Sequence, residues 1–267
     1  YIYVHNTNWA SDSSAQPSVT INWGDGVTET TDAWWDNGIT PMKHTYTNTS
    51  PKTVTLTGDL AGFSCNTVSE ATIIGMKSIA SCYKMFSCPN VTVSSQQGLN
   101  RFDLKSLDLS QFDSSNVTSI SHMFENQDLS ILSDTNGAFN HMANFSSKKI
   151  TDAEKAFRCH KYPKKLDLEH LHMDLVENTV EMFKCQFWDP ALEELKISTW
   201  NLPNLKFARN TFDGWIHPPD IKNWVTPRLQ NFNVYSFSTY WTAHGSAWLA
   251  NKPTSWGSSQ YMQPSWW

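Results

Sequence analysis

The chain has 267 residues and a mass of 30.4 kDa, enough for one large domain or two modest ones. A net charge of −5 and an isoelectric point near 6.0 exclude a basic face for nucleic-acid phosphates and a polybasic membrane patch. No stretch approaches the roughly 20 apolar residues that span a bilayer; no signal peptide is visible, and the opening Tyr1 reads as that of a mature or trimmed product.

In the first sixty residues, Val19, Ile21 and Trp23 alternate with polar residues, the period of a half-buried strand. Asp25-Gly26 then signals a tight turn. Thr53–Thr57 is a second alternating strand. A β-unit this short has a marginal core and is expected to pack on the segment C-terminal to it. Trp23-Gly24-Asp25-Gly26, His44-x-Tyr46 and Val54-x-Leu56, in that order, resemble the polycystic-kidney-disease (PKD) type of immunoglobulin-like β-sandwich. Ser50-Pro51-Lys52 replaces that family's usual Gly-x-Tyr. The resemblance implies an extracellular spacer or binding module without catalysis. Asp25 reads as an acceptor for turn amides, with calcium ligation as the alternative.

Five cysteines, Cys65, Cys82, Cys88, Cys159 and Cys185, are an odd set without a CxxC pair. They are expected to be buried thiols rather than a disulfide or zinc framework. The next segment repeats. Leu107-Asp-Leu leads to Phe124, Leu166-Asp-Leu to Phe183, and Leu195-Lys-Ile to Phe212, each over an offset of 17 residues. Apolar residues recur twelve and seven positions before each Phe: Phe112 and Val117, Leu171 and Val176, Trp200 and Leu205. Degenerate copies end at Phe86 and Phe157, the latter with Met142 and Phe145 as its early apolar positions. The separations of 38, 33, 26 and 29 residues fit a unit near 26 with loops inserted at about 87–104 and 127–138. One such unit cannot bury its own apolar set, so the pattern predicts a solenoid whose stacked coils share a core. Leu-x-Leu should be an inward-facing strand, and the positions seven and four before Phe should lie on a second, partly helical side. Cys88, Asn126, Cys159, Cys185 and Gly214 fall two after the Phe, where a stacked turn residue would serve its neighbour.

Phe112-Asp-Ser-Ser-Asn-Val-Thr-Ser-Ile-Ser-His-Met-Phe124 resembles the BspA-like 26-residue leucine-rich surface-protein repeat. The likeness spans about residues 64–214. It implies an adhesive bacterial or bacteriophage surface protein and supplies no catalytic residues. Asn116 of the sequon Asn116-Val-Thr118 belongs to that repeat pattern, so the sequons at Asn48, Asn90, Asn116 and Asn144 are not read as evidence of a glycosylated eukaryotic protein. The expected fold class is β-rich, a mixed α/β solenoid: a PKD-like β-sandwich over 1–62, a leucine-rich-repeat solenoid of about five coils over 63–214, and a Trp-rich cap and tail over 215–267. Trp215, Trp224, Phe232, Phe237, Trp241 and Trp248 are the expected cap. Trp256, Tyr261, Trp266 and Trp267 form a Pro/Ser-rich tail that either straps the solenoid or docks into a partner.

No Walker loop, GxGxxG or HExxH motif occurs, and no cofactor or catalytic residue is expected. His170-x-His172 with His160 is the best metal-like group, but both flank the inward Leu171 and are expected to face solvent. Asp108 with Asp167 would be a glycosidase-type pair, but both are outward strand residues in different coils. The outward row, Asp108, Ser110, His141, Ala143, Asp167, Glu169, Lys196 and Ser198, is the candidate ligand face, with its histidines lending pH sensitivity. The expected function is non-enzymatic adhesion or receptor binding at a bacterial cell surface or phage tail, toward a surface protein or glycan. Nucleic acid and membrane insertion are not expected. The alternative is a structural virion or surface-assembly subunit joined to others by its tail.

Overall fold

The structure is a computed structural model and describes residues 3–5, 18–32, 42–48, 50–58, 62–65, 68–88, 104–185, 192–215, 219–230, 250–251 and 253. These residues are mostly β, with almost no helix and no closed barrel among them. At the N-terminal end, β1 (Tyr3–His5), β2 (Ser18–Asn22), β3 (Thr28–Asp32) and β4 (Thr55–Gly58) precede β5 (Gly62–Ser64). β3, β2 and β4 form one antiparallel sheet, and β1 pairs antiparallel with β5. Val19, Ile21 and Trp23 are buried, as their alternation demands. The turn after Trp23 needs glycine: Gly24 has φ +78°, and a Cβ there would collide with the Thr53 carbonyl.

Beyond β5 the strands run parallel. β6 (Glu70–Gly75) pairs with β7 (Ser106–Phe112), while β8 (Ala138–Phe139), β9 (Lys165–Asp167) and β10 (Glu194–Lys196) form a three-stranded sheet. A second file of parallel bridges joins Gly62, Ser81, Ser119, Asp152, Asn178 and Phe207 in order. The five spaced phenylalanines stack along this file. Successive ring centroids from Phe86 through Phe124, Phe157 and Phe183 to Phe212 lie 5.5, 5.6, 5.8 and 5.7 Å apart. Backbone amides bond from each rung to the next: Phe86 N to Met123 O, Phe124 N to Ala156 O, Phe157 N to Met182 O and Phe183 N to Thr211 O, each at 2.9 Å.

The second side is not helical. Two residues before each ladder phenylalanine the backbone is left-handed, with φ of 52° at Lys84, 56° at His122, 53° at Lys155, 53° at Glu181 and 58° at Asn210. That conformation ends any helical turn and costs a non-glycine residue about 1–2 kcal/mol. Alternate amides bond to the neighbouring rung, as Lys84 N to Ser121 O and Phe86 N to Met123 O, while those between them close turns within the rung, as Met85 N to Cys82 O. The apolar spacing was compatible with either arrangement.

Two strand expectations also change. Leu166 and Leu195 are direct partners on β9 and β10, but Leu107 pairs with Ala71 of β6, in a separate sheet. In the rung ending at Phe157 the strand is Ala138–Phe139, with Phe139 against Leu166. Met142 is buried but lies beyond the strand, so Asn140 rather than His141 falls in line with Asp167.

The pattern also runs one rung further than expected. Ile221, Trp224 and Leu229 repeat Ile197, Trp200 and Leu205 at a spacing of 24. Trp224 stacks on Trp200 at 6.0 Å, and its Nε1 donates to Ile197 O at 3.1 Å, as Trp200 Nε1 donates to Leu168 O at 2.8 Å. Gln230 N bonds to Lys206 O, and Ile221 N to Asn251 O. Trp224 is therefore a rung residue. Trp215, by contrast, packs edge-on against Phe183 and Phe212 and donates to Phe183 O. Phe232, Phe237, Trp241 and Trp248 lie outside the described residues. Phe183→Ala and Trp224→Ala are each expected to destabilise the chain by about 3–5 kcal/mol in denaturant unfolding. A loss below about 1 kcal/mol for Trp224→Ala would remove the sixth rung.

Candidate functional site

The outward row begins on β7. Asp108 and Ser110 are exposed between the buried Leu107, Leu109 and Phe112. Asp108 Oδ1 accepts the Ser110 amide at 2.8 Å, and the Ser110 side chain holds the Asp108 carboxyl below its ordinary range. Asp167 and Lys196, on paired strands, form an ion pair at 3.3 Å. That hydrogen bond, with the charges of Glu194 and Asp167, raises the Lys196 pKa. Glu169 accepts from Ser198 Oγ at 2.7 Å. Asp167, Glu169, Lys196 and Ser198 are thus brought together as one mixed-charge patch. Asp108 and Ser110 belong to the separate β6–β7 sheet. Asp108 and Asp167 therefore stand on strands that do not pair.

The histidines are less free than expected. His141 Nε2 lies 2.8 Å from Leu132 O, and its ring meets Phe139 edge-on. His170 is half-buried with Nε2 2.6 Å from Met142 O, while His172 is exposed. His170 and His172 therefore do not share a solvent face. No group of three His, Cys, Asp or Glu side chains that could hold a metal occurs among the described residues. Asp25 accepts the Val27 amide at 3.2 Å and pairs with His44 at 2.7 Å, while the His44 ring stacks on Trp23. All five cysteines are buried thiols. Burial pushes Cys65 up to about 12 and raises Cys82, and the same effect, with nearby Cys185 and Asp128, raises Cys159. Trp256, Tyr261, Trp266 and Trp267 lie outside the described residues.

A second feature was missed from sequence. Charged side chains two before and one after the ladder phenylalanines meet across the rungs. His122 pairs with Glu125 at 2.7 Å, Glu125 with Arg158 at 3.4 Å, Arg158 with Glu181 at 3.0 Å, Glu181 with Lys184 at 3.4 Å and Lys184 with Asp213 at 3.0 Å. The signal was the recurrence of charged residues at fixed offsets from Phe124, Phe157, Phe183 and Phe212. Burial opposes the Glu125 charge, but the His122 hydrogen bond and the charges of His122, Arg158 and Lys155 outweigh it and lower its pKa. Glu154 is lowered against burial by its bonds to Lys155 and Asn178. Asp152, bridged to Ser119 and Asn178, is raised by burial and by the Glu154 charge.

Comparison with protein families, curated proteins and solved structures finds no match.

Lowered carboxylate pKa values add stability above the unfolded-state value, and that stability is lost as pH falls through the folded one. Melting temperature should therefore drop below about pH 4, near the ordinary Glu value. Glu125→Gln should lower it at pH 7 and flatten the acid limb. An unchanged acid limb in Glu125→Gln would show that the ribbon carries no net stabilisation.

Proposed function

We propose that the chain is a non-enzymatic adhesion or receptor-binding module, a short leucine-rich-repeat solenoid preceded by a PKD-like β-sandwich. The observation that carries this reading is the patch of Asp167 and Lys196 on paired parallel strands with Glu169 and Ser198 just beyond their ends. Buried leucines alternate with these outward side chains, so the scaffold is fixed by its interior and the outer row is free to serve a partner. The four side chains satisfy one another, which suits a polar protein or glycan surface that can exchange hydrogen bonds with them. Exposed ion pairs of this kind contribute only about 0–1 kcal/mol to folding. Their presence is therefore not explained by stability alone. On this reading the chain acts outside a cell, at a bacterial or virion surface, as the PKD-like and BspA-like resemblances imply.

Asp167→Lys with Glu169→Lys is expected to abolish adhesion to host cells while the melting temperature moves by only a few degrees. Adhesion measured by surface-coated cell binding that persists unchanged would remove this face as the binding site.

A further inference from the structure

One rung breaks the rule that the others keep. Five positions before each ladder phenylalanine stand Ser81, Ser119, Asp152, Asn178 and Phe207, joined by parallel bridges. The first four cap their own turn. Ser81 Oγ accepts Tyr83 N at 3.2 Å, Ser119 Oγ accepts Ser121 N at 3.2 Å, Asp152 accepts Glu154 N at 3.1 Å and Asn178 accepts Val180 N at 3.0 Å. Phe207 has no acceptor to offer, so this rung loses the bond and leaves a ring 42% exposed. A local rule broken without structural gain marks a candidate functional position.

The surroundings give the position its chemistry. Ala208 is buried between Phe207 and Arg209, which are both exposed and lie two residues apart. The Arg209 guanidinium has no ion pair or hydrogen bond among the described residues. From Leu195 to Phe212 the sequence holds Lys196, Lys206 and Arg209 and no carboxylate, within a chain of net charge −5. Asn178, one rung away, adds an amide, although its Nδ2 already donates to Glu154.

We propose that Phe207 and Arg209 form a binding site for a carboxylated sugar residue of a surface glycan. The proposal rests on the binding-module reading above and assigns it a second contact with a ligand class. The aromatic face takes the apolar C–H face of the sugar ring, and the planar guanidinium takes the sugar carboxylate through two parallel hydrogen bonds. Charge complementarity selects an acidic sugar over a neutral one, because among the described residues Arg209 lacks the internal partner that the cations of the neighbouring ribbon possess.

The test uses the full chain with three soluble probes: a uronic-acid oligosaccharide, sialyllactose and lactose. Calorimetry is expected to show binding of at least one of the two acidic probes, each a distinct source of the carboxylate, and much weaker binding of lactose. Phe207→Asn restores the turn-capping side chain found at Asn178. It should leave the melting temperature unchanged or raise it, yet weaken acidic-sugar binding about tenfold or more. Arg209→Gln should do the same to affinity and erase the preference over lactose. The proposal is overturned if the wild type binds neither acidic probe or binds lactose equally well, or if Arg209→Gln leaves affinity unchanged. Should Phe207→Asn unfold the chain, the Arg209→Gln result decides. Cell adhesion that is lost in Asp167→Lys with Glu169→Lys, while sugar binding fails in the wild type, would spare the broader reading and refute this site alone.

Discussion

The structure depends on a constraint that no single repeat can meet. Phe124, Phe157 and Phe183 are fully buried with another ladder ring stacked on each side, and alternate amides of each rung find their acceptors on the next rung. Apolar burial and backbone pairing therefore act along the same direction. A buried amide left without an acceptor would cost about 1–3 kcal/mol, so the rungs are held in step as strictly by polar accounting as by ring stacking. The left-handed residues at Lys84, His122, Lys155 and Glu181 are where this constraint overrides intrinsic preference.

The interior was legible in the sequence because it is written in spacing. The offset from Leu166 to Phe183 recurs from Leu195 to Phe212, and the structure sets Leu166 against Leu195 and Phe183 against Phe212. Where spacing was ambiguous, the reading failed for identifiable reasons. The strand of Ala138–Phe139 was misplaced because Met142 has the right polarity three residues later. The sixth rung was overlooked because it shortens to 24 residues and replaces the expected Leu-x-Leu with Pro219-x-Ile221. Helical turns were expected on the second side because hydrophobic periodicity does not report which way an amide points.

The outer surface was only partly legible. Alternation correctly marked Asp108, Asp167 and Lys196 as exposed, but said nothing of partners. His141 and His170 each face a backbone carbonyl, Leu132 O and Met142 O, 9 and 28 residues back in the chain. The ion-pair ribbon from His122 to Asp213 depends on offsets that become neighbours only once the rungs are stacked. Its members are half-shielded, which makes each pair less sensitive to salt than the Asp167–Lys196 pair on the open strand face.

Because the amide bonds of Phe124, Phe157 and Phe183 point from one rung to the next, a pull along the file loads them one row at a time. Tension at either end should peel the molecule stepwise instead of shearing it at once. Each detached unit releases slack and absorbs mechanical work before the next ring pair, such as Phe157 and Phe183, is strained. A stack with this construction yields gradually under load, keeping its remaining rungs intact while the outermost gives way.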